Sequence, residues 1–178
     1  MRYFCARPLK SRISGFLTEN NITQPVRKGE ELDWDALHKH LQDSIGNLAG
    51  KPEISQFHGG NSNLTYRLKY DNHDLVIRRP PFGTKAKSAH SMIREYRIMN
   101  TLKPVYPSVP DTLYYSDDES IIGAEFYVMR KVEGTVIRDV IPPQWHYTAK
   151  DTRRFCFAFW EKLIELHEVD YRAAGLGD

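Results

Sequence analysis

The apolar positions near residue 40 follow the period of an amphipathic helix. Asp33 is a suitable N-cap, and Leu32 before it is placed to pack against Leu37, one turn into the helix. Gly50, followed by Pro52, is expected to end the helix. One helical face is formed by Trp34, Leu37, Leu41, Ile45 and Leu48. The pattern therefore predicts a helix that packs through a single face.

Beyond residue 53 the pattern changes to the two-residue period of β-strands. Apolar and polar residues alternate over 64–70, and the polar residues 71–73 suit a turn. Pro80 and Pro81 should end the strand before them, because proline cannot donate to a strand ladder. We expect an antiparallel meander of three strands, at residues 54–57, 64–70 and 74–79.

The second half of the chain is predicted to add two more strands. A helix is expected over residues 89–102, with Ser88 as its N-cap. Strands are then expected at 112–116 and 124–132, and the polar residues 117–120 suit a turn between them. The order of elements predicts an α+β fold, in which a five-stranded antiparallel sheet packs against helices.

A last helix is predicted over residues 148–169, because Thr148 and Asp151 have the spacing of a capping box. Its large apolar side chains lie on nearly every side: Phe155, Cys156, Phe157, Phe159, Trp160, Leu163, Ile164 and Leu166. A helix of this kind is normally buried all round. We expect a protein partner, or a second lobe of the same fold, to cover it.

Composition narrows the class of protein. Hydrophobic residues make up 40% of the 178 positions, which is typical of a globular domain. The net charge of +2 is too small to indicate nucleic acid or an anionic membrane as the main partner. No apolar stretch is long enough to span a bilayer. Cys5 and Cys156 form neither a zinc motif nor a disulfide framework, so a reducing, cytoplasmic location is expected.

The N-terminal residues 1–25 are predicted to form a basic tail. Arg2, Arg7, Lys10 and Arg12 occur before the first acidic residue, Glu19. Such a composition suits a mitochondrial presequence as well as a solvated tail. A mitochondrial location is therefore the alternative to the cytoplasm.

Between the first two predicted strands lies a glycine-rich hairpin formed by Gly59, Gly60, Asn61, Ser62 and Asn63. Glycine lets backbone N–H groups approach a phosphate that a Cβ atom would keep away, and the amide and hydroxyl side chains add polar groups. The same residues are also ordinary in a tight turn. The hairpin alone thus leaves a phosphate site and a plain turn open.

Four motifs in a fixed order resemble the small lobe of kinase-like phosphotransferases, the aminoglycoside phosphotransferase and choline kinase superfamily. They are FHGGNSNLTY, LVIRRPP, SAHSMIREYRIM and FYVMRKVEG, followed by LHEVDYRAAGLGD at the end of the chain. The sequence is most similar to the phosphotransferase-like domains linked to acyl-CoA dehydrogenases. The resemblance implies a kinase-like lobe with its hinge over 26–134, and the first part of a helical second lobe over 135–178.

The resemblance implies a nucleotide site built from several of these motifs. Arg78 stands where the family places a lysine that contacts phosphates and pairs with a helix glutamate, and Glu95 is the matching acid. Arginine keeps the charge and adds a fork suited to phosphate and carboxylate. The alternatives without a binding role are that Arg78 is a surface arginine beside Arg79 on a solvated strand end, and that Glu95 is an exposed helix acid.

Residues 129–134 resemble the hinge between the two lobes. The resemblance implies that Met129 lies at the back of an adenine pocket, where the Arg130 carbonyl and the Val132 N–H face the base. An edge strand that leaves the sheet would show the same apolar run. The implied cofactor is ATP, with Mg²⁺ expected only in a complete enzyme.

The groups that carry out phosphoryl transfer are missing from the sequence. No H-G-D or H-R-D motif with a following asparagine occurs, and the His167 to Asp170 stretch is placed by the family at the end of a structural helix. We therefore expect the nucleotide-binding lobe of a small-molecule phosphotransferase with a hydroxyl acceptor, inactive by itself. A non-catalytic module that docks through the helix over 148–169 is the alternative, and a shortened gene product without a role of its own is a third.

Overall fold

The computed structural model describes residues 23–58, 63–83, 91–134 and 145–177. The strands in this part of the chain are Thr23–Gln24 (β1), Glu53–Phe57 (β2), Leu64–Lys69 (β3), Asp74–Arg79 (β4), Thr112–Ser116 (β5) and Phe126–Arg130 (β6). The helices are Trp34–Ile45 (α1), Met92–Leu102 (α2), Glu119–Ile122 (α3) and Ala149–His167 (α4).

The strands form one antiparallel sheet in the order β1-β2-β3-β4-β6-β5. The predicted α+β class and the meander of β2, β3 and β4 are confirmed. The predicted count of five strands is wrong, because residues 23–24 pair with β2 as a sixth strand. Two residues are too few to show a strand period, which is why the pattern placed them in the tail.

Helix α1 begins as predicted, but it ends earlier. The Asp33 side chain accepts a hydrogen bond from the Ala36 N–H at 3.0 Å, as an N-cap does. Gly46 (φ +70°) ends the helix four residues before the predicted Gly50. Leu48 lies beyond the helix and is still buried in the core.

Two local expectations in the second half are corrected. The N-cap of α2 is Ser91, whose hydroxyl accepts from the Arg94 N–H at 3.3 Å, whereas Ser88 was predicted and lies outside the described residues. A polar turn was predicted over 117–120, but residues 119–122 form the short helix α3, which Asp118 caps and Gly123 ends in the left-handed conformation. Capping residues decide these boundaries because each satisfies an otherwise orphaned backbone group.

The two faces of the sheet differ in chemistry. One face is apolar and packs against α1 and α3, and its buried members include Tyr66, Leu68, Leu75, Ile77, Phe126 and Val128. The other face carries Arg67, Val76 and Arg78, which alternate with the apolar set along β3 and β4. Helix α2 packs near β5 and β6, where the rings of Tyr96 and Tyr115 lie 5.6 Å apart. The polar face is therefore the one that positions the candidate site.

Arg79 lies on the apolar side and is buried, with only 2% of its surface exposed. Its guanidinium donates to the Pro80 carbonyl at 3.0 Å and to the Ile122 carbonyl at 2.8 Å, and it lies 3.9 Å from the centre of the Phe82 ring. Burial lowers the pKa of Arg79 from its ordinary value, and the nearby Tyr66 acts in the opposite direction. The solvated strand end that the sequence offered as an alternative is therefore wrong for Arg79.

Helix α4 has the predicted capping box, in which Thr148 and Asp151 bond each other's backbone N–H groups. These hydrogen bonds from Thr148 lower the pKa of Asp151. None of the α4 residues is buried. The Tyr106 hydroxyl donates to the Lys162 carbonyl at 3.0 Å, which links α4 to the segment after α2. No helix among the described residues is both long and apolar enough to cross a membrane.

Candidate functional site

Arg78 and Glu95 meet on the polar face of the sheet, as the sequence predicts. Arg78 comes from β4 and Glu95 from the first turn of α2, and the Arg78 Nη2 atom lies 3.4 Å from Glu95 Oε2. Each side chain keeps about a third of its surface exposed, at 32% and 33%. The pair can therefore be reached by a ligand from solvent.

Two neutral donors hold the Glu95 carboxylate more closely than Arg78 does. Asn63 Nδ2 donates to Glu95 Oε1 at 3.0 Å, and the Tyr127 hydroxyl donates to Oε2 at 2.9 Å. Sequence reasoning missed Tyr127. The signal that could have found it is strand register, because Tyr127 is directly opposite Arg78 across the β4–β6 pair.

Burial dominates the electrostatics of Tyr127, which is 1% exposed. Burial raises the pKa of its phenol, the Arg78 charge lowers it, and the Glu95 charge and hydrogen bond raise it further. The phenol therefore remains protonated at neutral pH, and it can only donate to Glu95.

The site concentrates buried polar atoms that have no hydrogen-bond partner in the described part of the chain. Three such side-chain atoms occur: Asn63 Oδ1, Arg78 Nε and His73 Nδ1. The first two belong to residues that contact Glu95. A buried polar atom without a partner is costly and calls for an explanation, such as a bound water or ion or a functional role.

Residues predicted to surround the nucleotide are placed only in part. Asn63, predicted as part of the glycine hairpin, uses its amide to bond Glu95. Gly59, Gly60, Asn61 and Ser62 lie outside the described residues. Their role in nucleotide binding, and that of Asn63 itself, stays a prediction.

The segment predicted as a hinge leaves the sheet at the end of β6. Met129 is half-buried and Arg130 is exposed, while Val132 is 63% exposed. The Lys131 N–H donates to the Asp74 carbonyl at 2.8 Å, which turns this residue's backbone toward β4. In an extended chain, the backbone N–H and C=O groups of successive residues point to opposite sides. The Arg130 carbonyl and the Val132 N–H therefore point away from β4. Their predicted contact with adenine stays a prediction.

The Lys131 side chain is also held against β4. Its Nζ atom lies 3.9 Å from Asp74 Oδ2, and Arg67 bonds both oxygens of the same carboxylate at 2.8 and 2.6 Å. Asp74, the first residue of β4, therefore links β3 to the residues that follow β6. In the described ranges, no three His, Cys, Asp or Glu side chains converge in a way that could hold a metal ion.

A model of the phosphotransferase enzyme family (APH) matches residues 53–178, well over half of the chain. The chain belongs to the phosphotransferase enzyme family. The matched range includes β2 to β6 and the cluster of Asn63, Arg78, Glu95 and Tyr127. The family resemblance predicted from the sequence motifs is thus confirmed.

Individual relatives of this phosphotransferase family member support the same assignment. Acyl-CoA dehydrogenase family member 10 of Mus musculus is 36% identical over 155 residues, which cover 86% of the chain. Acyl-CoA dehydrogenase family member 11 of Gallus gallus is 32% identical over 158 residues, again 86% of the chain. The chain spans 14% and 20% of these two proteins, so it corresponds to one part of each.

A solved structure extends the comparison to the fold. It is that of a Ralstonia eutropha protein that has been assigned as an aminoglycoside phosphotransferase. The match has a TM-score of 0.62 at 29% identity, and it covers 83% of this phosphotransferase family member and 42% of the Ralstonia protein. The predicted kinase-like fold is confirmed by this match.

Proposed function

We propose that this chain is the nucleotide-binding lobe of an ATP-dependent phosphotransferase that acts on a small molecule with a hydroxyl group. The observation that carries the proposal is the loose pair of Arg78 and Glu95 on the polar sheet face. About a third of the Arg78 side chain is exposed, so its guanidinium can donate to a phosphate oxygen that enters from solvent.

The geometry suits an anion that enters beside Arg78. Charge-assisted hydrogen bonds are usually about 2.7 to 2.9 Å long, and the 3.4 Å between Arg78 and Glu95 is well beyond that range. The planar fork of arginine can donate hydrogen bonds to two phosphate oxygens while Glu95 fixes its direction. In this proposal, Met129, Arg130 and Val132 receive the adenine, and residues 59–63 cover the phosphates.

We propose that the chain alone binds nucleotide without transferring phosphate. Binding lowers the barrier only through interactions that strengthen in the transition state, and the sequence has no H-G-D or H-R-D motif to supply an acceptor-orienting aspartate and a Mg²⁺ ligand. The names of the curated relatives favour a hydroxyacyl thioester as the acceptor class. Mg²⁺ would join ATP in the complete enzyme.

Calorimetric titration of the full chain with ATP, with and without Mg²⁺, tests the proposal. We expect saturable binding that Arg78→Ala weakens by roughly tenfold to a hundredfold, because a charge-assisted hydrogen bond contributes about 1.5 to 3 kcal/mol. Glu95→Ala should weaken binding less, because it frees Arg78 without removing it.

Arg94→Ala is the matched control, because Arg94 is the exposed neighbour of Glu95 on α2. It should leave ATP affinity within about twofold of the wild type, as expected of an exposed surface position. Failure of the wild-type chain to bind ATP would reject the proposed function. Equal weakening by Arg94→Ala and Arg78→Ala would show that the loss of affinity comes from the lower positive charge of the chain and not from a specific contact of Arg78.

A second candidate function rests on α4. Its exposed apolar side chains, each 37–60% exposed, are Phe155, Phe157, Phe159, Trp160, Ile164 and Leu166. Exposed apolar patches of this kind mark protein interfaces. We propose that protein covers α4, in the form of the remaining lobe of a phosphotransferase or a separate partner that docks on residues 148–169. The Ralstonia relative, of which the chain spans 42%, supports the first form.

The apolar surface of α4 should be measurable in the full chain. We expect the wild type to bind an apolar fluorescent dye and to self-associate as concentration rises, because α4 has no buried residue. The double substitution Phe157→Glu and Trp160→Glu should reduce both signals severalfold. The matched change at exposed polar positions, Arg153→Glu with Lys150→Glu, should not. Unchanged dye binding in the apolar variant would remove α4 as the docking surface.

A further inference from the structure

We infer that Tyr127 is a positioning residue that keeps Glu95 from closing on Arg78, so that the guanidinium stays available to an anionic ligand. The inference rests on the proposed function, because the anion is taken to be a nucleotide phosphate. It assigns to a tyrosine on β6 a task that neither Arg78 nor Glu95 can perform by itself.

The distances around the carboxylate carry the inference. Glu95 Oε2 accepts from the Tyr127 hydroxyl at 2.9 Å, and the same oxygen lies 3.4 Å from Arg78 Nη2. Oε1 accepts from Asn63 at 3.0 Å. Both oxygens therefore have a neutral donor, while the cation is held at the longer distance. Without such donors, a carboxylate beside a guanidinium would be expected to form a short bidentate pair.

Strand register explains why Tyr127 can act in this way. Tyr127 and Arg78 are direct partners across β4 and β6, so their side chains rise from the same face of the sheet. Glu95 reaches the same point from α2. Tyr127 is 1% exposed, so its ring is fixed and its hydroxyl holds Oε2 from the sheet side. The carboxylate is thereby anchored to a rigid strand instead of to the arginine.

Removal of the phenol hydroxyl should have a specific chemical consequence. In Tyr127→Phe, Glu95 Oε2 loses its neutral donor. Arg78, the nearest cation, then donates to this oxygen instead. The shortened ion pair then competes with a phosphate for the guanidinium. Affinity for ATP should fall although the changed atom is not proposed to touch the nucleotide, and affinity for adenosine should not change.

Calorimetric titration of the full chain with ATP and with adenosine separates these effects. We expect Tyr127→Phe to weaken ATP binding roughly tenfold and to leave adenosine within about twofold. Adding Glu95→Gln to Tyr127→Phe should recover most of the ATP affinity, because an amide has no charge to compete for Arg78. Tyr115→Phe is the matched control, because the Tyr115 hydroxyl donates to Glu125, the residue just before β6, and not to Glu95.

The side-chain Nε–H signal of Arg78 in nitrogen-15 NMR provides a readout that needs no nucleotide. It should shift in Tyr127→Phe and stay in place in Tyr115→Phe, because only the first change alters the Arg78 and Glu95 contact. An unshifted signal, equal losses for ATP and adenosine, or no recovery with Glu95→Gln would each overturn the inference. A wild type that binds neither nucleotide would reject the proposed function, whereas the NMR result would still decide the role of Tyr127.

Discussion

Replacing Arg79 with alanine is expected to lower the free energy of unfolding by about 3 to 5 kcal/mol, one of the two largest effects we expect. The side chain is almost fully buried, and its two hydrogen bonds are accepted by the Pro80 and Ile122 carbonyls. Alanine leaves both carbonyls without a donor and opens a cavity in the core. Urea unfolding followed by circular dichroism measures the change.

Two variants separate these causes. Arg79→Met refills most of the volume without restoring a donor, so we expect it to cost about half as much as Arg79→Ala. Arg153→Ala, at an exposed position on α4, should change stability by no more than about 0.5 kcal/mol. If Arg79→Ala is no more harmful than Arg153→Ala, the buried guanidinium does not stabilise the junction of β4 and α3.

Alkaline pH is expected to destabilise the fold through its buried tyrosines, among them Tyr66 and Tyr70. Burial raises the pKa of Tyr66 to about 12, against an opposing effect of Arg79, and burial raises the pKa of Tyr70 to about 12. In the unfolded chain a tyrosine pKa is about 10, so the unfolded state loses these protons first. Stability that is complete below pH 10 should therefore fall as pH rises toward 12, by about 1.4 kcal/mol per pH unit for each tyrosine.

Urea unfolding at pH 8, 10, 11 and 12 measures this loss, to which Tyr66 and Tyr70 together should contribute about 5 kcal/mol. Tyr70→Phe should reduce the dependence on pH without abolishing it, because the phenylalanine ring has no proton to lose while the buried Tyr66 and Tyr127 phenols still titrate. Tyr171→Phe, at a position that is 51% exposed, should leave the slope unchanged. A slope in Tyr70→Phe equal to that of the wild type would contradict the assignment.

Much of the fold could be predicted because local chemistry decides it. Asp33 and the pair of Thr148 and Asp151 cap their helices as the sequence indicates, since a cap acts on groups only two or three residues away. The predicted α2 cap was wrong because Ser88 and Ser91 are both suitable residues, and only the structure shows which hydroxyl reaches the backbone. Strand β1 could not be predicted, because its two residues exist as a strand only through pairing with β2.

The candidate site shows the same division between local and long-range information. The pairing of Arg78 with Glu95 followed from their places in the family motifs, and the structure brings them together. Tyr127 and the burial of Arg79 were missed, because both depend on contacts between residues far apart in the sequence. The register of β4 and β6 brings Tyr127 close to Glu95, and the buried Arg79 donates to the carbonyl of Ile122, 43 residues further along the chain.

The strand order also determines when the cluster can assemble. Strand β4 lies between β3, its neighbour in sequence, and β6, which follows only after residues 80–125. Closing a loop of that length costs more chain entropy than closing the short turns of the meander, so non-local pairing is slow. The meander can therefore form early and present Arg78, while Tyr127 and Glu95 arrive with later steps. A folding intermediate made of β2 to β4 would contain Arg78 without Glu95, its ion-pair partner, and without Tyr127, which holds Glu95.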